Sequence, residues 1–353
     1  MNGSDSPYTW YREASVGNPD IQWETVTKLN LGADFSAFRQ LVTGSVDVFR
    51  DKRRDIFLRG TDRAVPSYFG AAPPAANLGS VNTQGMEIDV RLNKQIRDLH
   101  LYADLAYTHA QDKVLVRDDA ELLADYRKQA GFPIDQPRYY VNVGYINNWD
   151  EVYGSTAHDQ MDNQRKPGDY VILDYDADGI ISNKDNIPYG YSPNPQNTYN
   201  ATVGADYKGW SAFVQFYGVT NVSRWIPYSS LGGQRNTVFD EGSYWSPTNQ
   251  NPDVPLPRWF SVASPYSIGT RYLYDASYLR LKNVEIAYTF TDRRWLRTVR
   301  MKSLRLFLNA DNLWLYTKMP DDRESNYSSI GAAASQGAYP TVKRINFGLR
   351  ISL

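Results

Sequence analysis

The chain has 353 residues and a mass of 40.3 kDa, room for one large β domain or two ordinary ones. Its net charge of −1 gives no basic field to recruit nucleic acid, and the absence of cysteine excludes a disulfide scaffold or a thiolate metal site. Mean hydropathy is −0.55 and no run approaches the ~18 apolar residues of a membrane helix; that excludes a helical span but not a β-barrel, whose strands are polar at every second residue. Aromatics make up 14% of the chain. They suit either interfacial girdles with ligand-facing loops or a Tyr-rich β protein with glycan- or protein-binding loops.

The opening segment, Met1-Asn-Gly-Ser-Asp-Ser-Pro7, has neither a basic stretch nor an apolar stretch of an export signal. From residue 25 onward, strands announce themselves by alternation, because side chains in a strand switch faces at every residue. Leu29, Leu31, Ala33 and Phe35 alternate with Lys28, Asn30, Gly32 and Asp34. Residues 42–49 and 84–93 repeat the pattern, the latter with Met86, Ile88, Val90 and Leu92 against Glu87, Asp89 and Arg91. Further stretches follow at 99–109, 198–207, 211–218, 284–290 and 304–310. The last, Ile345–Leu353, alternates without a miss to the end of the chain. Each approximates the 9–11 residues that a tilted barrel strand needs.

The connections sharpen this reading. Short turns at about 36–41, 94–98, 208–210 and 291–303 alternate with long loops at about 59–81, 110–197, 219–276 and 317–340. All long loops then fall at one end, as in outer-membrane barrels with short periplasmic turns and long extracellular loops. Nine spanning strands is an odd number, whereas single-chain bacterial barrels normally have an even one; the expectation is a C-terminal portion of a larger barrel, its first part missing. A soluble, secreted, non-enzymatic glycan-binding β-sandwich is the alternative. It predicts a monomer that stays soluble without detergent.

Several segments resemble the SusC/RagA-type TonB-dependent transporters of the Bacteroidetes outer membrane. Gly17-Asn-Pro-Asp-Ile-Gln-Trp-Glu-Thr25 is similar to that family's segment leading into a barrel strand. Asn77-Leu-Gly-Ser-Val-Asn-Thr-Gln-Gly85 resembles its strand entry, with Asn82 one residue early. Gly168-Asp-Tyr170 with Leu173–Asp185, Ala276–Val284 and Leu308–Leu313 match three further segments in order. The resemblance runs from about residue 16 to the C-terminus. It implies an all-β transmembrane barrel of 22 strands in the cell outer membrane, with residues 1–353 as its C-terminal portion. The N-terminal plug, TonB box and early strands would lie outside this sequence. Implied partners are a SusD-like surface lipoprotein, the TonB complex acting through the missing N-terminal region, outer-membrane lipid, and an oligosaccharide or peptide substrate. Leu353 stands where the family usually ends in Phe.

The sharpest local motif is Asp174-Tyr-Asp176-Ala-Asp178-Gly179-Ile180, closed by Asp185. It places oxygen donors at EF-hand loop positions 1, 3 and 5, glycine at 6, a backbone carbonyl at 7 and an acid at 12. That is a donor set for a hard cation such as Ca²⁺, with Asp174, Asp176, Asp178, Ile180 and Asp185 as ligands, and no flanking helices. Aromatics in the long loops, Trp149, Tyr153, Trp225, Trp245 and Trp259 above all, are candidates to stack on substrate. Trp23, Tyr207, Trp210, Tyr288 and Trp314 sit near strand ends, where girdle residues belong. Residues 118–130 read as one amphipathic helix within the second long loop. No catalytic residues are expected: His100, His109 and His158 lack metal-ligand spacing, and no nucleophile or phosphate-loop motif occurs.

Overall fold

The computed structural model describes residues 16–66, 68, 70, 73–225, 243–252, 256, 269–291, 294–319 and 341–353. The chain opens with long strands β1 (Thr25–Ala37), β2 (Val42–Leu58), β3 (Ala76–Ile96) and β4 (Leu99–Val116). The connection after β4 holds short strands β5 (Arg138–Tyr139) and β6 (Asn142–Tyr145), helix α1 (Trp149–Gly154), and strands β7 (Ala157–His158), β8 (Tyr170–Ile172), β9 (Ile180–Ile181) and β10 (Ile187–Pro188). A tight hairpin of β11 (Asn197–Tyr207) and β12 (Trp210–Thr220) follows, then β13 (Ser223–Trp225) and β14 (Leu273–Asp275). The chain closes with β15 (Tyr278–Thr291), helix α2 (Arg294–Thr298), β16 (Ser303–Thr317) and β17 (Arg344–Ser352).

Nine of these strands form one sheet in the order β1-β2-β3-β4-β11-β12-β15-β16-β17. The expected strand number and the short–long rhythm of connections are both present. Strand length differs: β2, β3 and β4 run 17, 21 and 18 residues, well beyond the 9–11 that a crossing requires.

Two compact units divide the chain. Within the first (Met1–Leu29, Phe49–Gln84 and Asp112–Ile134), polar side chains tie the loops to the strand ends. The Asn77 amide donates to the carbonyls of Asp55 at 2.7 Å and Gln22 at 2.9 Å. The Arg63 guanidinium donates to Asp118 at 3.1 Å and to the Pro74 carbonyl at 3.0 Å. The helix expected over 118–130 does not form. The Asp119 carboxylate accepts the Gln129 and Ala130 N–H groups, Ala124 is extended, and Leu122 is fully exposed. Only one 3₁₀ turn, Asp125–Arg127, is helical; a short acid competing for backbone donors has displaced the helix.

In the second unit (Asn30–Val48, Gly85–Gln111 and Asp135–Leu353), six strands from β4 to β17 pair antiparallel in a continuous register. One row across them reads Asp104, Thr202, Gln215, Asn283, Asp311, Arg344. One residue along each strand, the row reads Ala103, Val203, Val214, Val284, Ala310, Ile345. A single step therefore exchanges a polar face for an apolar one across the whole sheet. Hydrogen bonds lace the polar face: Gln215 donates to Asn200 at 3.1 Å, Arg305 to Glu285 at 2.6 Å and Asn346 to Asn309 at 3.0 Å.

The apolar face is open. Phe347 is 71% exposed, Ile345 68% and Leu349 59%, with Leu308, Ile286, Val203 and Leu105 also exposed. A β-sandwich would bury this face against a second sheet, but the remaining described sheets have two strands each. One irregularity interrupts the register. Leu281 faces Phe216 and Asn283 faces Gln215, so Lys282 is an extra residue of β15 against β12; on its other side the same pair faces Trp314 and Asp311, and there the extra residue belongs to β16. No described helix is long and apolar enough to cross a membrane, which says nothing of a β-barrel.

Candidate functional site

The long connections of the second unit fold on a core of their own. Strand β6 pairs with β8, so that Tyr145 lies opposite Tyr170 with ring centroids 5.1 Å apart. Tyr272 meets Tyr170 edge-on and their hydroxyls are 2.9 Å apart, so burial and the second phenol raise the Tyr170 pKa. Ile172, Ile181 and Trp245 complete the buried group, with Trp225 edge-on to Tyr272. Gly168 makes room for Trp245. Its φ is +94°, and a β-carbon there would lie 2.7 Å from the indole.

Helix α1 presents the opposite kind of surface. Asn148 accepts the Glu151 N–H at 2.8 Å, while the Glu151 carboxylate accepts from the Asn147 N–H and the Asn148 amide. This cap fixes a short helix whose Val152 is buried. Trp149 and Tyr153, four residues apart and therefore on one face, point outward with exposures of 54% and 82%. Their rings lie 6.4 Å apart at 30°, a paired aromatic platform.

The acidic turn follows β8. Gly179, at φ +84°, makes the bend, and its N–H donates to Asp174 at 2.9 Å. Asp185 is 1% exposed and accepts the Tyr175 and Ser182 N–H groups at 2.7 and 2.8 Å. Carboxylate oxygens of Asp174, Asp176 and Asp185 all lie within 4.8 Å of one another. Oxygens at opposite poles of a Ca²⁺ ion are about 4.6–5.2 Å apart, so the three fit one coordination sphere. One Asp174 oxygen is enclosed without a donor. Asp178 does not join the group. Its carboxylate takes the Lys184 ammonium at 2.5 Å, which lowers its pKa, and its other oxygen accepts the Ile180 N–H. Strand β9 then pairs in parallel with β7, joining Ile181 to His158. Burial lowers the pKa of His158 to about 4, helped by the Arg165 guanidinium. Arg165 pairs with Asp162 at 2.7 Å and donates to Ser155 at 2.6 Å.

The family of TonB dependent receptor-like β-barrels matches residues 2–180, about half of the sequence. The chain belongs to that family.

Relatives extend the match along this TonB-dependent receptor barrel. TonB-dependent receptor P3 of Formosa agariphila is 26% identical over 95% of the chain and 34% of its own length. TonB-dependent receptor SusC of Bacteroides thetaiotaomicron is 23% identical over 95% of the chain and 32% of its own length. The structure of the RagAB peptide transporter matches with a TM-score of 0.67 at 19% identity, over 97% of this chain and 37% of that one. The SusC/RagA-type resemblance is thereby borne out. The chain spans about a third of the length of these relatives.

Of the site residues expected from sequence in this receptor barrel, Asp174, Asp176 and Asp185 converge, whereas Asp178 turns to Lys184. Trp245 is packed inside the loop core at 5% exposure and Trp225 against it, while Trp149 and Tyr153 face solvent. Trp259 lies outside the described residues. Sequence reading missed Lys184, although it stands one place before the last acid of the motif. It also missed the group of buried His158 and Arg165 with the half-exposed Asp162, whose members are unremarkable until the chain folds.

Proposed function

We propose that the chain forms part of the wall of an outer-membrane transporter that imports nutrients, oligosaccharides or peptides, without catalysing a reaction on them. The observation that carries this reading is the sheet's two-sided register: six strands present one continuous exposed apolar face and one polar face. In water such an apolar face is an aggregation surface; in a bilayer it is the lipid contact, and the polar face lines an aqueous lumen. Energy would come from the TonB complex through a plug, and a SusD-like lipoprotein would cap the long-loop side. Likeness to the RagAB peptide transporter supports the peptide class, while oligosaccharides rest on the family resemblance of the sequence.

The Trp149–Tyr153 platform is the substrate-facing candidate in the loops, because its two rings are exposed while Trp225 and Trp245 hold the loop core. Ca²⁺ at Asp174, Asp176 and Asp185 would stiffen the adjoining turn, with Lys184 as the internal competitor for the same negative charge.

Uptake of labelled oligosaccharides and peptides by cells carrying or lacking the gene tests the reading. Loss of uptake of one class is expected, with the protein in the detergent-extracted outer-membrane fraction. Unchanged uptake of both classes, or a protein that stays soluble without detergent, would overturn it.

A further inference from the structure

On the open apolar face, β12, β15, β16 and β17 leave a groove of about 400 Å³. Trp210, Ile286, Tyr288, Phe290, Leu308 and Phe347 line it, all apolar or aromatic. From this groove a chain of touching rings leads to the β15–β16 connection. Trp210 meets Tyr288 at 4.9 Å, Tyr288 meets Phe290 at 4.6 Å, and Phe290 meets Trp295 of α2 at 5.9 Å.

That connection, residues 292–302, has five basic residues against one acid in its sequence. Its described part, from Arg294 on, is firmly held: Leu296 is 1% exposed, the Met301 N–H donates to the Leu296 carbonyl at 2.9 Å, and the Lys302 backbone N–H donates to the Ser352 carbonyl at 2.8 Å. The anchoring leaves Trp295 and Val299 exposed at 46% and 54%, beside the exposed cations Arg294, Arg300 and Lys302. Among the described residues none of these three cations has an acidic partner at ion-pair distance.

An apolar slot continued by aromatic rings to a turn of net positive charge is complementary to one molecule that is greasy at one end and anionic at the other. We infer that this groove and turn hold an acidic phospholipid from the leaflet at the short-turn end, its acyl chain in the groove and its phosphate on Arg294, Arg300 and Lys302. This rests on the membrane-barrel reading above. Basic residues beside a membrane attract acidic lipid by roughly a fivefold factor each, so three of them give real selectivity.

Native mass spectrometry of the detergent-extracted protein, titrated with phosphatidylglycerol, phosphatidylcholine of the same chains, or inorganic phosphate, tests this. One retained phosphatidylglycerol per protein is expected under conditions that strip phosphatidylcholine. The triple variant R294Q/R300Q/K302Q should lose that preference by about tenfold or more. Leu308→Trp, or Ile286→Trp where the first does not fold, should fill the groove and weaken both lipids. Heat-modifiable gel migration confirms folding of each variant. Equal retention of the two lipids, an unaffected triple variant, or displacement by inorganic phosphate would overturn the lipid site while leaving the barrel intact. A protein soluble without detergent would overturn the barrel itself.

Discussion

Gly168 lies against the six-membered ring of Trp245, closer than any side chain would allow, since a β-carbon there would meet the indole at 2.7 Å and the Leu256 β-carbon at 2.5 Å. Gly168→Ala must also hold alanine at φ +94°, a backbone cost of about 1–3 kcal/mol before any clash. The expected result is a loosened loop core with the strands intact. Limited proteolysis should then cut the long connections first, with a red shift in tryptophan emission and unchanged heat-modifiable migration. Wild-type protease resistance in the variant would refute this.

The acidic turn is expected to take Ca²⁺ weakly, at about 10⁻⁴–10⁻³ M, the range of extracellular sites. Lys184→Met should tighten binding by removing the ammonium that occupies Asp178, and Asp176→Ala should abolish it. Calorimetry decides the matter. Absence of heat at millimolar Ca²⁺ in both the native protein and Lys184→Met would sink the idea.

His158 makes the loops acid-sensitive. The folded protein keeps it neutral down to about pH 4, whereas the unfolded chain protonates it near 6.5. Between those values the unfolded state binds more protons, so stability falls as pH drops through this window and is level above it. The loss is at most about 1.4 kcal/mol per unit of pH. Loop melting followed by tryptophan emission should show this slope in the native protein and a shallower one in His158→Gln. Equal slopes would exclude His158 as the source.

The two faces of β17 should respond oppositely to charge. Phe347→Arg places a cation on the lipid side, where a mid-bilayer arginine costs about 2–4 kcal/mol. Asn346→Arg, its immediate neighbour, turns into the polar face and should be tolerated. The fraction of folded, heat-modifiable protein in the outer membrane separates them. Equal yields from the two variants would contradict the assignment of faces.

Strands were legible because period-two alternation is local: Ile345 to Leu353 declares its two faces without reference to any partner. The alternating connection lengths gave the ends of the sheet for the same reason. What failed was anything decided by competition. The pattern over 118–130 is helical, but whether a helix forms depended on Asp119 taking the Gln129 and Ala130 N–H groups. Likewise, Asp178 has the spacing of a cation ligand, and only the fold shows that Lys184 reaches it. Aromatic composition could not separate Trp245, sealed in the loop core, from Trp149 and Tyr153 on the surface. That distinction follows from the pairing of β6 with β8 and from contacts about a hundred residues apart in sequence.

Lys282 acts as a change of phase. Below it, Glu285 and Asn283 face the polar side; beyond it, Arg280 takes that side, opposite Tyr217, although strict alternation would have offered Leu281 and Leu279 instead. Arg280 is 1% exposed, so its guanidinium is enclosed by protein and kept off the apolar face. Removing three bases, the codon for Lys282, would shift the frame in space as surely as a one-base deletion shifts it in a gene. Every side chain from Leu281 back to Tyr278 would change sides, turning a leucine inward for each polar group sent out to the hydrocarbon. The tolerance of this sheet to insertion and deletion is therefore set less by how much chain is lost than by whether the number of residues lost within a strand is odd.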